Sequence, residues 1–390
     1  MANNEVYCKL PQDAILEILT KLPTKTLLQL RCVSKSFTPL ISHPDFIKLH
    51  LSCTTGAGAG APYPYHLIYY ESTDYQKAYF SFHVDKSFSP CKILETPFKS
   101  INGYLRLVGS SRGIVCLFDT SYFSYVGTVI LWNPFIGKFK ILPSLQGLNC
   151  LRDDISHIAV GFGFDHRNFD FKVVKILYGC TNEREVPPEA FIYEVKIGTW
   201  RRLGSVVPCF MPRWPWSGSV FVNGIMHWLA YKRQLFSGPP TCIMALDLVN
   251  EVSKLMELPQ NLGPNPKELR LSPLVDEKSV ALFVSYHENV GKTWDMWLMN
   301  DYGEVESWTR KYIVVLEHVF FPLKIVNDGQ TLAAISDEKL VLIDVEKEEV
   351  QDLEVCGLPL SFDMAGYTPS LALLDIGDRL VWQDSLRKQA

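Results

Sequence analysis

The sequence has little of what secreted, membrane-spanning or metal-binding proteins carry. Its 10 cysteines are scattered, and the absence of any C-x-x-C pair excludes paired zinc ligands and a dense disulfide framework. It has no Asn-x-Ser/Thr glycosylation site, and no apolar run approaches the roughly 18 residues of a membrane span. The N-terminal residues lack a signal-peptide core. We therefore expect a protein of the cytoplasm, the nucleus or both, with no membrane partner.

The chain also lacks a large excess of charge of either sign. The formal net charge is −4, charged residues make up 21% of the chain, and no sustained basic patch occurs, so we expect no nucleic-acid partner. None of the 9 histidines forms an HxH or HxxxH pair, and we expect no metal and no cofactor. Aromatic residues reach 12%, which favours a β-rich body.

What is present in abundance is apolar side chain near the N-terminus, between residues 10 and 51. Ile15, Ile18, Leu19 and Leu22 recur at the three-and-four spacing of an amphipathic helix, with Pro11 in its first turn. The pair Leu22-Pro23 ends this helix, because the residue before proline is disfavoured in the α region.

Three more short helices follow in the same segment. Thr24 is the expected N-cap of a second helix, which runs to about Cys32, and Ser34 caps a third. Pro44 opens a fourth that runs to about Leu51. So short a segment cannot hide this much apolar surface by itself, and the surplus needs the rest of the chain or another protein.

This helical segment closely resembles the F-box. The resemblance rests on Leu10-Pro11, on Leu22-Pro23 and on the run Cys32-Val33-Ser34-Lys35-Ser36-Phe37, although Phe37 stands where the family usually has tryptophan. It implies docking onto a Skp-type adaptor and through it onto a cullin–RING ubiquitin ligase. The alternative is an ordinary helical subdomain packed on the C-terminal body. The adaptor-contact residues that the resemblance implies are Leu10, Pro11, Ile15, Ile18, Leu19, Leu22, Pro23, Leu27, Leu28 and Val33.

A glycine- and proline-rich stretch separates this segment from the rest. Residues 53–64 contain the run GAGAG, but no strand precedes it and prolines follow it instead of a helix, so a linker is favoured over a phosphate-binding loop.

From residue 65 the pattern changes to short alternating strands with frequent turn residues. A four-stranded unit recurs, with a tight turn such as Asn223-Gly224 in its first half. The turns of the second halves lie near Gly137, Gly198, Asn250, Gly303 and Lys347. A partial unit at 65–98 and a lone strand at 370–375 complete one another, which predicts a closed β-propeller of about six blades. A pair of stacked sandwiches is the alternative.

The body resembles the F-box-associated domain of plant F-box proteins, sometimes described as kelch-like. The resemblance rests on residues 109–113, 131–134, 161–165, 222–224 and 227–229, and it spans roughly residues 100–310. The strict double-glycine signature of kelch repeats is absent.

The residues that could indicate catalysis have structural interpretations instead. Gly109-Ser-Ser-Arg-Gly113 fits G-x-S-x-G, but a strand follows it instead of a helix, so Ser111 is a turn residue and we expect no catalytic residues. His227 is expected to donate to a neighbouring strand, and His166 with Asp165 and Asp170 to lie in a solvated hairpin tip.

Two aromatic loops are candidates for target recognition, because tryptophan, tyrosine and arginine are common interface anchors. The alternative for the first loop is that its tryptophans fill a gap between blades. The candidate residues are Phe210, Arg213, Trp214, Trp216, Tyr122 and Phe123.

The sequence thus predicts a mainly β protein with a small α domain: an F-box over 1–52, a linker over 53–64 and a propeller-like recognition domain over 65–390. The hypothesis is a non-catalytic substrate-recognition subunit of an SCF-type (Skp–cullin–F-box) ubiquitin ligase that recruits a target protein for degradation. The rival is a stand-alone propeller, lectin-like or enzymatic, with a helical cap.

Overall fold

The computed structural model describes residues 11–55, 65–72, 77–84, 88–120, 127–145, 155–181, 184–204, 209–212, 218–232, 238–274, 277–286, 293–315, 319–327, 329–335 and 337–373. None of the helices within these ranges has the length and apolar character needed to cross a membrane.

The N-terminal part is helical. The helices are α1 Gln12–Thr20, α2 Thr24–Val33, α3 Phe37–Ile41 and α4 Pro44–Thr55. Pro11 and Pro23 each stand one residue before a helix, with φ of −56° and −58° and extended ψ of 147° and 148°. Pro11 therefore precedes the first turn of α1 instead of lying in it. The ring of proline holds φ near these values, so both residues lead the chain into a helix at little entropic cost.

Two of the expected helix caps are wrong. Thr24 is the first residue of α2 instead of its N-cap, and its hydroxyl donates to the carbonyl of Pro369 at 3.1 Å. Ser34 is the C-cap of α2, and the N-cap of α3 is Ser36, whose hydroxyl lies 2.8 Å from that of Ser34. Pro44 opens α4 as expected, but the helix continues beyond Leu51 to Thr55 because no glycine or proline interrupts it before residue 56.

The rest of the described chain forms six four-stranded antiparallel sheets, the blades of a propeller. Blade 1 contains β1 Tyr65–Glu71, β2 Ala78–Val84 and β3 Ser89–Glu95, together with β24 Asp363–Tyr367. Blade 2 contains β4 Tyr104–Ser111, β5 Ile114–Thr120, β6 Thr128–Asn133 and β7 Lys138–Ile141. Blade 3 contains β8 Ile155–Asp165, β9 Asp170–Thr181, β10 Arg184–Glu194 and β11 Thr199–Arg202.

The remaining three blades follow in chain order. Blade 4 contains β12 Val220–Val222, β13 Ile225–Ala230, β14 Cys242–Asp247 and β15 Ser253–Glu257. Blade 5 contains β16 Glu268–Pro273, β17 Val280–Ser285, β18 Thr293–Met299 and β19 Trp308–Val315. Blade 6 contains β20 Val319–Asn327, β21 Gln330–Ile335, β22 Lys339–Asp344 and β23 Glu349–Cys356. The prediction of a mainly β propeller of six blades behind a small helical segment is confirmed.

Tight turns with positive φ join the strands where the sequence indicates them. Asn223 and Gly224 have φ of 53° and 78°, as a type I′ hairpin turn requires. Arg112 and Gly113, with φ of 47° and 81°, make the same kind of turn between β4 and β5. Ser111 is the last residue of β4, so its G-x-S-x-G motif lies in a strand–turn–strand and not in a nucleophile elbow.

The ring closes through β24. This strand pairs antiparallel with β1, placing Tyr65 opposite Tyr367 and Tyr69 opposite Asp363. The expected closing strand at 370–375 is wrong: residues 370–373 form no strand, and residues 374 and 375 lie outside the described ranges. Because β24 already occupies the edge of β1, the apolar Leu371 and Leu373 pack against other elements instead.

Asn133, from the Leu-Trp-Asn-Pro motif, anchors the segment after β24. Its amide nitrogen donates to the carbonyls of Ser370 at 3.0 Å and Ala372 at 2.9 Å. Its amide oxygen accepts from the hydroxyl of Tyr367 at 3.1 Å and from the backbone N–H of Phe135 at 3.1 Å. The side chain is fully buried, so these bonds satisfy an amide that has no access to water.

The helices pack on this anchored segment, residues 370–373. Leu371 joins one apolar cluster with Leu19, Leu27, Ile41 and Phe46. Part of the leucine-rich face is therefore buried against the propeller, so the rest of the chain covers some of the apolar surplus. Residues 370–373 do not form the expected closing strand; they form a platform on which the helices pack.

Candidate functional site

The helical segment divides its apolar residues into a buried and an exposed set. Leu19 and Leu27 are 3% and 0% exposed and lie in the cluster with Leu371. Ile15, Leu22 and Leu28 are half-buried against the same cluster. The structure thus assigns two of the predicted adaptor-contact residues to internal packing and leaves three with partial access.

The exposed set faces solvent on the same helices. Val33, at the end of α2, is 79% exposed, and Ile18, in α1, is 52% exposed. The prolines at positions 11 and 23 are exposed as well, while Leu10 lies outside the described residues. Leu49 of α4, which the sequence analysis does not single out, is 44% exposed. Exposure of this kind is not confined to the helices, because Ile197 and Val252 of the propeller are 67% and 60% exposed.

Polar contacts hold these helices in a fixed arrangement. The imidazole of His50 in α4 lies with Nε2 at 2.9 Å from the carbonyl of Leu22, in the turn between α1 and α2. Burial lowers the pKa of His50, and the neutral ring donates this hydrogen bond because a carbonyl only accepts. Phe46 stacks on the same ring at 6.2 Å. The turn that carries Leu22 and Pro23 is therefore tied to α4 from inside.

A cleft of about 700 Å³ separates α2 from blade 1. One wall carries Leu28, Cys32 and Val33 of α2. The opposite wall carries apolar residues of the propeller, among them Phe82, Leu94 and Phe135. Val33, which is 79% exposed, thus also belongs to the lining of the cleft.

Most of the candidate target-binding residues fall outside the described ranges. Arg213, Trp214, Trp216, Tyr122 and Phe123 lie outside the described residues. Phe210 is half-buried, and its ring lies 6.0 Å from that of Tyr178 in the cluster shared by blades 3 and 4. The backbone N–H of Phe210 donates to the carbonyl of Tyr231 at 3.0 Å, and the carbonyl of Phe210 accepts from the N–H of Tyr231 at 2.7 Å. This end of the loop is fixed to the body.

A buried charge cluster near the Gly-Phe-Gly-Phe-Asp motif was not expected from the sequence. Lys172 lies 2.8 Å from Asp165, with side chains only 2% and 0% exposed, and its ammonium also donates to the carbonyl of Leu248 at 2.8 Å. Burial opposes ionisation of Asp165, but hydrogen bonds from Lys172 and Asn168 outweigh it and lower its pKa to about 2. The expected solvated tip is thus wrong for Asp165, which is buried, and for Asp170, at 6% exposure; His166 is exposed.

His227 has the structural role expected of it. Its Nδ1 lies 3.1 Å from the carbonyl of Val220 on the neighbouring strand, and Nε2 lies 2.6 Å from the hydroxyl of Tyr302. Across the part of the chain that the structure describes, no group of three or more histidine, cysteine, aspartate or glutamate side chains could hold a metal ion.

Comparison with known proteins agrees with this division. A family model described as the F-box domain matches residues 8–49, and one described as the F-box associated beta propeller domain matches residues 106–371. Among curated proteins of Arabidopsis thaliana, the F-box protein CPR1 is 24% identical, over 95% of this chain and 90% of its own length. The F-box/kelch-repeat protein At3g23880 is 27% identical, over 77% of this chain and 78% of its own.

The likeness to solved structures is weaker. A DUF4784 family protein from Bacteroides caccae aligns with a TM-score of 0.39 and 14% sequence identity, covering 77% of this chain and 74% of that one.

Proposed function

This chain belongs to the plant F-box proteins that carry an F-box-associated β-propeller domain, and we propose that it is the substrate-recognition subunit of an SCF-type ubiquitin ligase. F-box proteins are generally non-catalytic receptors whose F-box binds a Skp-type adaptor of a cullin–RING ligase. In this role the chain forms and breaks no bond itself. It holds a target near the ubiquitin-charged enzyme, and the gain in rate comes from proximity and orientation.

The observation that carries the proposal is the exposed apolar side of α1 and α2. Val33 and Ile18 stay exposed even though the opposite side of the same helices is buried on the propeller. Intramolecular packing therefore leaves part of the apolar surface uncovered, and an adaptor that covers it gains roughly 25 cal/mol for each Å² of apolar area removed from water.

The buried members of the predicted set act differently in this proposal. Leu19 and Leu27 pack inside and position the helices, while Ile15, Leu22 and Leu28 combine internal packing with an accessible edge. Pro11, Pro23, Ile18 and Val33 supply direct contacts, and Leu10 belongs with them on the resemblance of its motif alone.

The domain assignment remains part of the proposal: F-box over 1–52, linker over 53–64, propeller over 65–390. The propeller presents a target protein through its loops, with Phe210, Arg213, Trp214, Trp216, Tyr122 and Phe123 as candidate contacts. The tie between Asn133 and residues 370–372 supports a fixed orientation of the helices on this platform. Action in the cytoplasm or nucleus, followed by degradation of the target, completes the proposed role.

A pull-down with a Skp-type adaptor tests the proposal. Replacing Leu22-Pro23 by Ala-Ala should abolish capture of the adaptor, because it removes a half-buried leucine and loosens the turn that presents the helices. The matched control replaces Leu258-Pro259, the same dipeptide in the propeller, whose leucine is also half-buried. Undiminished capture by the first variant, or equal loss in both while both stay folded by circular dichroism, contradicts the proposal.

A further inference from the structure

The cleft of about 700 Å³ between α2 and blade 1 lies where the helical segment meets the propeller. Its volume falls within the roughly 300–1,000 Å³ of pockets that bury a small organic molecule. Such pockets occur preferentially at the junctions between domains. The cleft therefore has the size and the position of a ligand site, a role that adaptor binding does not assign to it.

One face of α2 forms the first wall of the cleft. The residues of α2 that line it recur at intervals of three and four, so they share one face of the helix. Leu27, on the opposite face, is fully buried in the cluster with Leu371. Packing within the helical segment thus leaves most of the lining face open, and four of its five residues are exposed. The five are Lys25, Leu28, Gln29, Cys32 and Val33.

A β-bulge shapes the opposite wall. Lys92 of β3 lies opposite Phe82 of β2, and the next pair joins Pro90 to His83, so Cys91 has no residue opposite it. Successive side chains of a regular strand point to opposite faces, whereas a bulge redirects them. Cys91 and Lys92 therefore both line the cleft although they are neighbours in the sequence.

The lining is apolar in its buried part and mostly polar where it is exposed. Phe82 and Tyr367 are 6% and 0% exposed, and their rings pack edge to face at 5.4 Å. With buried Pro134 they form the floor of the cleft. The half-buried residues above this floor are Leu28, Tyr65, Val84, Leu94 and Phe135. The exposed residues, which form the rim, are Lys25, Gln29, Cys32, Val33, Cys91 and Lys92.

The charged side chains of the rim have one sign. Lys25 stands on α2 and Lys92 on β3, and neither forms an ion pair with any residue that the structure describes. No aspartate or glutamate occurs among the described residues that line the cleft. Burial raises the pKa of Cys91, so its thiol stays neutral and does not offset the charge of Lys92. An apolar floor below a basic rim suits a molecule that is apolar at one end and anionic at the other.

We propose that this cleft binds a small amphipathic carboxylate, with its apolar body on the aromatic floor and its carboxylate at the basic rim formed by Lys25 and Lys92. Removal of the apolar body from water supplies most of the binding free energy. The lysines contribute less, because ion pairs at exposed side chains are weakened by water. Leu28 and Val33 also belong to the proposed adaptor surface, but this chain alone forms the cleft.

Isothermal titration of the full chain with biphenyl-4-carboxylate, without adaptor, tests the site independently of the proposed function. Saturable binding of one molecule is expected. Biphenyl-4-carboxamide has the same apolar body without the charge and should bind about tenfold more weakly, whereas acetate, which lacks the apolar body, should not saturate the site. Absence of saturable binding by the biphenyl carboxylate, or equal affinity for the carboxamide, overturns the proposal.

Substitutions at the rim test which charges attract the carboxylate. Lys25→Gln and Lys92→Gln should each weaken its binding about threefold, the effect expected of an exposed ion pair, and should leave the carboxamide unaffected. The matched controls are Lys35→Gln, just after α2, and Lys99→Gln, just after β3, at exposed lysines outside the lining. Equal losses in the rim and control variants overturn the proposal.

A thiol footprint locates the bound molecule. Cys32 and Cys91 stand on the two walls of the cleft, while Cys53 and Cys356 are exposed outside it. Bound biphenyl-4-carboxylate should slow maleimide labelling of the first two at least threefold, measured by mass spectrometry, and leave the other two unchanged. Equal rates with and without the carboxylate at Cys32 and Cys91 overturn the proposal. It is also overturned if Cys32 is unreactive in the free chain, because other residues of this chain or a second copy then fill the cleft.

Discussion

Asn133 is a single residue on which two parts of the molecule depend. Its amide joins the end of β6 to Tyr367 in the closing strand and to the carbonyls of Ser370 and Ala372. The sequence indicates a turn at this motif but not this role, because the partners lie more than 230 positions away. Local pattern predicts local structure, and a contact over that distance becomes visible only in the fold.

Replacing Asn133 by alanine tests this role. The change leaves two buried carbonyls and the hydroxyl of Tyr367 without their partner, and we expect the free energy of unfolding to fall by about 3 kcal/mol. Urea unfolding followed by tryptophan fluorescence measures the loss. Asn261→Ala, at an exposed position, is the matched control, and an equal effect of both variants would count against the anchoring role.

His227 makes the stability of the fold depend on pH. Burial, assisted by Lys254, lowers its pKa from 6.5 to about 4, although the hydrogen bond to Val220 acts against the shift. The unfolded chain therefore binds a proton between these values while the folded chain does not. Above pH 6.5 the two states bind this proton equally little, and His227 does not change the free energy of unfolding. Between pH 6.5 and 4, its titration lowers the free energy of unfolding by about 1.4 kcal/mol for each unit by which the pH decreases.

Unfolding in urea at pH 7.0, 6.0 and 5.0 measures this slope. His227→Gln should reduce the slope between pH 6 and 5 relative to the unaltered chain, whereas His43→Gln, at an exposed position, serves as the control. A slope that is unchanged in His227→Gln would show that other groups govern the pH dependence.

At the scale of elements, the blades follow from the sequence and the closing strand does not. Alternating strands and positive-φ turns, such as Asn223-Gly224, repeat at intervals that reveal each four-stranded unit. The sequence predicts closure by the apolar residues 370–375, and this prediction is wrong. Asp363–Tyr367 pairs with β1 because the more apolar residues after it gain more by packing under the helices.

The glycines of β8 show how one blade fits against the next. A Cβ atom on Gly161 would lie 2.4 Å from Met226 Cε and 2.4 Å from Trp228 Cζ2, both in blade 4. Gly161→Val should therefore overpack the interface and lower the free energy of unfolding by about 2 kcal/mol. Thermal denaturation compares it with Gly204→Val, where no atom lies within 4 Å. A Gly161→Val protein as stable as the control would show that the blades can separate without strain.

At the scale of the whole molecule, the helices pack on the propeller through an apolar cluster, and apolar residues on α1 and α2 stay exposed. Leu19 and Leu27 pack on Leu371, so the helices are not a free appendage. The sequence predicts the surplus of apolar surface correctly, but it cannot divide that surplus between the propeller and a partner. That division depends on the orientation of each helix, which only the packing on residues 370–373 determines.

The exposed apolar residues of α1 and α2 allow the most direct test of adaptor binding. Ile18 and Val33 are exposed at 52% and 79%, so aspartate at both positions should leave the fold intact while placing charge on the proposed adaptor surface. The matched control is Ile197→Asp with Val252→Asp, two equivalent residues of the propeller exposed at 67% and 60%.

The measurement is the dissociation constant of the full chain for a Skp-type adaptor, by isothermal titration, for the unaltered protein and both double variants. We expect Ile18→Asp/Val33→Asp to weaken binding at least a hundredfold, about 2.7 kcal/mol, and Ile197→Asp/Val252→Asp to change it less than twofold. Equal affinity of the two double variants would contradict the claim that the exposed side of α1 and α2 is the adaptor-binding surface.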